Sequence, residues 1–145
     1  MARYTAGQKT GLGTTLLPYA AVIGAAGSGG RMREVGAFNT TSTACDIKLV
    51  RLTTAGTPGS TITAEKYDGN SAANACLAKG LYTSTGPTLT DLGYRASLGA
   101  AIGSGVIWTF GDSGLVIPLG VANGIGVVVE NGTGQLLQLY FTWDE

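Results

Sequence analysis

Apolar and polar residues alternate along several short stretches of this chain. In ACDIKLVRLTT, Cys45, Ile47 and Leu49 fall on one face, and Asp46 and Lys48 fall on the other. A period of two residues is that of a β-strand, in which successive side chains point to opposite faces. This stretch is therefore predicted to be a strand with one face in a core.

Two other stretches, VIWTF and IGVVV, are apolar on both faces. One face of such a strand can fill the core, and the other needs a second cover. We expect that cover to be a sister subunit in a homo-oligomer; the alternative is a loop of the same chain. In the closing strand, LLQLYFTWDE, apolar and polar residues alternate again. This places on one face Leu137, Leu139, Phe141 and Trp143.

Turn signals separate about eight predicted strands, and no helical pattern lies between them. The segment NGTG is a hairpin signal and predicts that the last two strands pair with each other. The fold class predicted is all-β, an antiparallel β-sandwich or barrel.

Residues 1–32 lack a sustained period of either 2 or 3.6. We interpret them as an extended N-terminal arm, followed by a β-sandwich domain at 33–145. The apolar stretch LLPYAAVIGAA within this segment is too short to span a bilayer and is interrupted by Pro18 and Gly24. It is expected to lie against another surface.

The amino-acid composition indicates a surface with little charge. Charged residues make up 12% of the chain, hydrophobic residues 44%, and the formal net charge is zero. No bulk attraction to nucleic acid or to an anionic membrane is indicated. Two interpretations of the low charge stay open: a surface covered by neighbouring subunits or a large partner, and a neutral surface rich in Thr, Ser and Asn.

The chain has two cysteines, Cys45 and Cys76, and no histidine. Both cysteines lie in strand-like contexts and are expected to be buried free thiols. Two distant cysteines without histidine are too few ligands for zinc, so no metal site and no cofactor are predicted.

The segment GDSGL, Gly111–Leu115, resembles the surroundings of the nucleophile in serine proteases of the chymotrypsin type. Their triad needs an imidazole as general base, and this chain has none to pair with Ser113. Asp, Ser and two Gly between two apolar runs are what a tight turn requires. We therefore predict a turn at a corner of the sandwich, no catalytic residue and no enzymatic activity.

Three tyrosines near predicted loops, Tyr67, Tyr82 and Tyr94, offer a different function. Exposed aromatic rings can stack on sugars, so a carbohydrate- or receptor-binding module of a fibre or tail is the alternative to a purely structural protein. Filling of a core or an interface is the commoner role of such side chains.

From Arg33 onward the chain resembles small bacteriophage proteins of the capsid decoration (cement) type. The resemblance lies in GAFNTTSTACDIKLVRLTT, in GSGVIWTFGDSGLVIPLGVANGIGVVVEN and in the closing strand LLQLYFTWDE. It implies a jelly-roll-like β-sandwich that forms homotrimers on the outer surface of the virion capsid. The major capsid protein would be the partner, without nucleic acid or membrane, and synthesis would take place in the host cytoplasm.

This resemblance also implies roles for two groups of residues. The arm would bind the capsid through Arg3, Tyr4, Lys9, Leu16, Leu17, Tyr19 and Arg31. An oligomer interface or the core would be formed by Trp108, Phe110, Val127, Val129, Leu137, Leu139, Phe141 and Trp143.

Overall fold

The computed structural model describes all residues, 1–145, and contains strands but no helix. The strands are β1 (Arg3–Lys9), β2 (Ala20–Ile23), β3 (Gly30–Asn39), β4 (Cys45–Leu52), β5 (Pro58–Ile62), β6 (Glu65–Lys66), β7 (Leu77–Tyr82), β8 (Leu89–Leu98), β9 (Gly105–Thr109), β10 (Leu115–Ile117), β11 (Gly124–Asn131) and β12 (Leu137–Asp144).

These strands form two antiparallel sheets of six strands each, which confirms the predicted all-β sandwich class. The first sheet has the order β10-β3-β12-β1-β6. Its sixth strand, β9, also pairs with β3, at residues 34–38, whereas β10 pairs with β3 at residues 30–32. The second sheet has the order β5-β7-β2-β11-β4-β8. A main core of 24 buried residues lies between the sheets.

The strands that alternate in sequence contribute to this core as predicted. Cys45, Ile47 and Leu49 of β4 lie in it, together with the apolar face of β12. All eight residues assigned to the core or to an oligomer interface pack in or against this cluster. Seven of them are buried, so they are core residues and are not available to a partner subunit. Phe110 is half-buried and packs against the core.

A second cluster explains the strand that is apolar on both faces. Val128 of β11 points away from the main core, yet it is fully buried among Ala21, Val50, Leu52 and other residues of the second sheet. Leu17, from the loop between β1 and β2, packs against this cluster. The chain covers this face itself, so the expectation that a sister subunit covers IGVVV is wrong.

Residues 1–32 do not form an extended arm. β1 pairs with β12 along its whole length, from Arg3 opposite Asp144 to Lys9 opposite Gln138. β2 lies between β7 and β11 in the second sheet. The predicted domain boundary at residue 33 falls inside β3, so this part of the prediction is wrong.

The sequence pattern of β2 gives the physical reason for that error. All four of its residues are buried, because the main core covers one face and the second cluster covers the other. A strand buried on both faces is a continuous apolar run and shows no alternation.

The predicted terminal hairpin is wrong as well. β11 lies in the second sheet and β12 in the first, so the NGTG segment carries the chain from one sheet to the other. β9 and β10 both pair with β3. The GDSG turn between them therefore lies along one edge of the first sheet, not at a corner between sheets.

The two ends of the sandwich differ in the loops that form them. We call the base the end that holds both chain termini, the β2–β3 loop and the β10–β11 loop. Gly24 donates its backbone N–H to the Asn123 carbonyl at 2.8 Å there, and Gly120 donates to Ala25 at 2.6 Å. The opposite end holds the β1–β2 and β11–β12 loops, where Gln135 donates its backbone N–H to the Tyr19 hydroxyl at 3.0 Å.

Candidate functional site

The GDSG turn is positioned by two arginines of β3. Arg33 donates through Nη1 to the Gly111 carbonyl at 2.9 Å and also to the carbonyl of Asp112. Arg31 donates through Nη1 to the Ser113 carbonyl at 2.8 Å. Gly111 and Gly114 adopt φ values of 60° and 61°, the left-handed region that glycine enters without steric cost. The prediction of a turn at this segment is confirmed.

Beside the turn, the Asp144 carboxylate joins three neighbouring strands. It accepts from Arg3 Nε of β1 at 2.7 Å and from Arg33 Nε of β3 at 2.6 Å. The hydrogen bonds from Arg3 are the main reason that the pKa of Asp144 lies below its usual value, with a further contribution from Arg33 and opposition from burial. These contacts fix the guanidinium groups in place.

A polar cleft of about 270 Å³ opens over these arginines. Its lining comes from β1, β3, β9, β12, the GDSG turn and the residue after β6. The lining residues are Arg3, Arg33, Glu34, Tyr67, Thr109, Gly111, Asp112 and Thr142. We call this feature the arginine cleft.

Tyr67 is the aromatic residue of the arginine cleft. Its ring centroid lies 5.9 Å from the Arg3 guanidinium carbon, a cation–π distance, and its backbone N–H donates to the Arg3 carbonyl at 3.0 Å. The residue is 63% exposed. An anchored but accessible ring of this kind can contact a ligand in the cleft.

The other two tyrosines considered for sugar binding lie elsewhere. Tyr82 ends β7 and so lies near a loop, but it is buried in the second cluster, so the prediction that it could stack on a sugar is wrong. Its hydroxyl has no hydrogen-bond partner, and burial raises its pKa to about 12. Tyr94 lies on β8 and packs edge-on against Phe110 at a centroid distance of 5.3 Å.

The residues proposed for a capsid-binding arm do not form one surface. Tyr4 and Tyr19 are buried in the main core, and Leu17 packs on the second cluster. The other four are exposed, but Arg3 and Arg31 lie towards the base, whereas Lys9 and Leu16 lie towards the opposite end. The prediction that these seven residues form one docking site is therefore wrong.

The base carries an apolar groove of about 450 Å³ beside Arg31. Met1, Val116 and Leu119 line it and are largely exposed, and Val121 follows in the same β10–β11 loop. We call these four residues the base patch.

Both cysteines are buried free thiols, as predicted. Burial is the main cause that raises the pKa of Cys76 to about 12, and the adjacent Glu145 carboxylate adds to it. No three His, Cys, Asp or Glu side chains are grouped closely enough to bind a metal ion. The structure contains no helix of the length and hydropathy needed to span a membrane.

The residues of the arginine cleft that the sequence does not single out are Arg33, Glu34, Thr109 and Thr142. They come together because β3 pairs with both β9 and β12, a pairing that the linear pattern does not contain. One signal was present: Arg31 and Arg33 alternate with the buried Met32, which places both arginines on the outer face of β3. Comparisons with models of protein families, with curated proteins and with solved structures gave no match.

Proposed function

We propose that this chain is a structural virion protein that decorates and stabilises a bacteriophage capsid. In this proposal it assembles as a homotrimer on the outer capsid surface, binds the major capsid protein and performs no chemistry. It would be made in the host cytoplasm and would bind neither nucleic acid nor membrane.

The strand order is the observation that carries the proposal. The eight strands of a jelly roll, lettered B to I, form the sheets B-I-D-G and C-H-E-F. Here β1-β12-β3 with β9 and β10 correspond to B-I-D-G, and β2-β11-β4-β8 correspond to C-H-E-F. Viral capsid domains are a large group among jelly rolls, although lectins and cupins share the fold.

The remaining strands form an insertion between β4 and β8. β5 and β7 extend the second sheet beyond β2, and β6 extends the first sheet beyond β1. These three strands, together with the division of strand G into β9 and β10, account for twelve strands where about eight are predicted. The insertion leaves the jelly-roll order of the other strands unbroken, which supports the proposed assignment.

The base patch is the best surface for contact with a shell. Leu119 and Val121 are 63% and 59% exposed, and Met1 is 86% exposed. Leu12, Leu16 and Ile102 are similarly exposed, but they line no groove, whereas residues of the base patch do. Large apolar side chains along a groove of a weakly charged protein favour burial against a partner. We therefore assign capsid binding to the base in place of the arm, with Arg31 at the rim of the groove.

A homotrimer suits weak individual contacts. If three copies engage the shell together, the second and third contacts form at high effective concentration, so avidity exceeds the affinity of one base patch. The second face of β11 is buried within the chain, so it cannot serve as a trimer interface. The outer face of β9, in the stretch VIWTF, carries Ile107, which is 51% exposed and open to a sister subunit.

The direct test is co-sedimentation of the purified protein with undecorated shells of its phage. Leu119→Asp places a charge in the base patch and should lower occupancy by about ten-fold or more. The matched control is Leu16→Asp, since Leu16 is similarly exposed, at 70%, but lies in the β1–β2 loop at the opposite end. Failure of the unaltered protein to bind shells would refute the function, and a loss with Leu16→Asp alone would refute the assignment to the base.

A further inference from the structure

The arginine cleft has the groups of a ligand site, and it is distinct from the base patch. Asp144 uses Nε and Nη2 of Arg3, at 2.7 Å and 3.1 Å, and leaves Nη1 without a partner. Arg33 uses Nε and Nη1, and leaves Nη2 free. Two rigidly held guanidinium groups therefore retain unused donors beside an open cleft.

Hydrogen-bond acceptors lie in the same cleft. Glu34 accepts the Tyr140 hydroxyl at 2.6 Å through Oε1, which leaves Oε2 unoccupied. The exposed Asp112 carboxylate has no ion-pair or hydrogen-bond partner, because the turn is held through its backbone carbonyls. Thr109 and Thr142 complete the polar lining.

The charge of the cleft favours a neutral ligand. Two arginines and two carboxylates, Glu34 and Asp112, line the cleft, and both arginines are also paired with Asp144. An anion would therefore meet no excess of positive charge. Ligand hydroxyl groups can bind both kinds of side chain, because each hydroxyl can accept a hydrogen bond from a guanidinium and donate one to a carboxylate. The volume of about 270 Å³ is close to the lower limit of ordinary ligand pockets.

Tyr67 supplies the contact that distinguishes a sugar from other polyhydroxylated molecules. The C–H face of a pyranose ring is apolar and slightly positive, which complements the negative face of an aromatic ring. Tyr67 lines the cleft and is largely exposed. Arg3 lies over one face of its ring, which leaves the other face for a sugar. We propose that the arginine cleft binds a neutral hexopyranose glycan, whether or not the protein decorates a capsid.

The test begins with an array of neutral oligosaccharides of glucose, galactose, mannose and N-acetylglucosamine, with uronic acid and phosphorylated glycans on the same array. The best neutral probe is then titrated by calorimetry against variants. Tyr67→Ala should weaken binding by about ten-fold, whereas Tyr67→Phe, which keeps the ring, should stay within about three-fold of the unaltered protein. Asp112→Asn should weaken binding as well, because it replaces one acceptor oxygen of the carboxylate with an NH2 group, which can only donate.

Tyr94→Ala is the matched control, as it removes a partly exposed tyrosine outside the cleft. It should leave the affinity unchanged. The proposal is overturned if no neutral glycan binds at millimolar concentration, if acidic glycans bind in preference, or if Tyr67→Ala binds as well as the unaltered protein while its circular dichroism is native.

Discussion

At the residue scale, the Asp144 carboxylate connects three strands of the first sheet. It lies on β12, between β1 and β3, and pairs with an arginine from each. Its side chain is almost fully buried, whereas Arg3 is half-exposed. Removal of this carboxylate charge should be destabilising, mainly because Arg33, which is largely buried, would lose its ion-pair partner.

Asp144→Asn should lower the free energy of unfolding at pH 7 by about 2–3 kcal/mol, measured by urea denaturation. The pKa of Asp144 is lower in the folded state than in the unfolded state. Its contribution is therefore present above the unfolded value of about 3.9 and is lost as pH falls from there through the lowered folded value. The difference between the two proteins should narrow below about pH 4.

Asp91→Asn is the control for this prediction. Asp91 also has a lowered pKa, mainly through the backbone N–H of Gly93, but it pairs with Lys48 and Arg95 on the exposed face of the second sheet. Exposed ion pairs contribute little. An equal loss of stability in the two variants would contradict the role given to Asp144.

Glu145 makes a second residue-scale connection, between the C-terminus and the segment before β7. Its carboxylate accepts from the backbone N–H groups of Ala75 and Cys76, at 2.6 Å and 2.9 Å, and from the Trp143 indole at 2.7 Å. Glu145→Ala should loosen this segment and expose Cys76. The expected result is labelling of Cys76 by a maleimide at pH 8 at least about ten-fold faster than in the unaltered protein, because access to a buried thiol requires local opening.

The readout for Glu145→Ala is peptide mapping by mass spectrometry. Cys45 provides the internal control, since it is buried in β4 and contacts Tyr19 at 3.4 Å, away from Glu145. Acceleration at both cysteines alike would indicate general destabilisation and count against a local role for Glu145.

At the scale of elements, the loop after β2 depends on close backbone approach. A Cβ on Gly24 would lie 2.2 Å from the carbonyl oxygen of Pro118, a backbone atom that cannot rotate away. Gly27, in the same loop, has open space around it. The two glycines therefore form a matched pair for substitution.

Gly24→Ala should destabilise the protein by about 1–3 kcal/mol, because the β2–β3 and β10–β11 loops must separate. Gly27→Ala should change the free energy of unfolding by no more than about 0.5 kcal/mol. Thermal and urea denaturation of both variants give the comparison. A Gly24→Ala protein as stable as the unaltered one would show that the base is not tightly packed.

The sequence revealed those elements whose two faces differ in polarity. β4 and β12 alternate because each has one face in the main core, so their existence and orientation could be predicted. β2 could not be predicted, because both of its faces are buried and its sequence is a continuous apolar run without alternation. The pairing of β11 with β4 and β2, and not with β12, depends on contacts between distant segments that no local turn signal encodes.

The candidate site was predictable only in part. The GDSG turn followed from its residue types, and Tyr67 was singled out as an aromatic near a loop. The arginine cleft itself arises from the packing of β3 against β9 and β12, which brings Arg33, Thr109 and Thr142 together. A hypothesis based on sequence neighbours could not have assembled it.

At the scale of the whole molecule, the first 32 residues are part of both sheets. Deletion of 1–32 removes β1, β2 and the start of β3, so it opens the first sheet beside β12 and the second sheet beside β11. The truncated chain should not fold. Circular dichroism and hydrogen exchange should show neither a cooperative transition nor protected amides, and a stably folded fragment 33–145 would contradict the topology described here.

The proposed homotrimer predicts a solution mass. One chain has a mass of 14.7 kDa, so light scattering should give about three times that value for the purified protein. If the protein stays monomeric at every concentration up to that needed for full shell occupancy, the proposal that three linked copies bind the shell together is wrong.

We propose above that this β-sandwich docks on a phage shell through its base. Cryo-electron microscopy of shells incubated with the protein tests it most directly. We expect ordered density on the outer surface, arranged in threes, with the β10–β11 loop and its Leu119 against the capsid. Density with the β1–β2 loop against the capsid, or shells that stay bare at saturating protein, would contradict it.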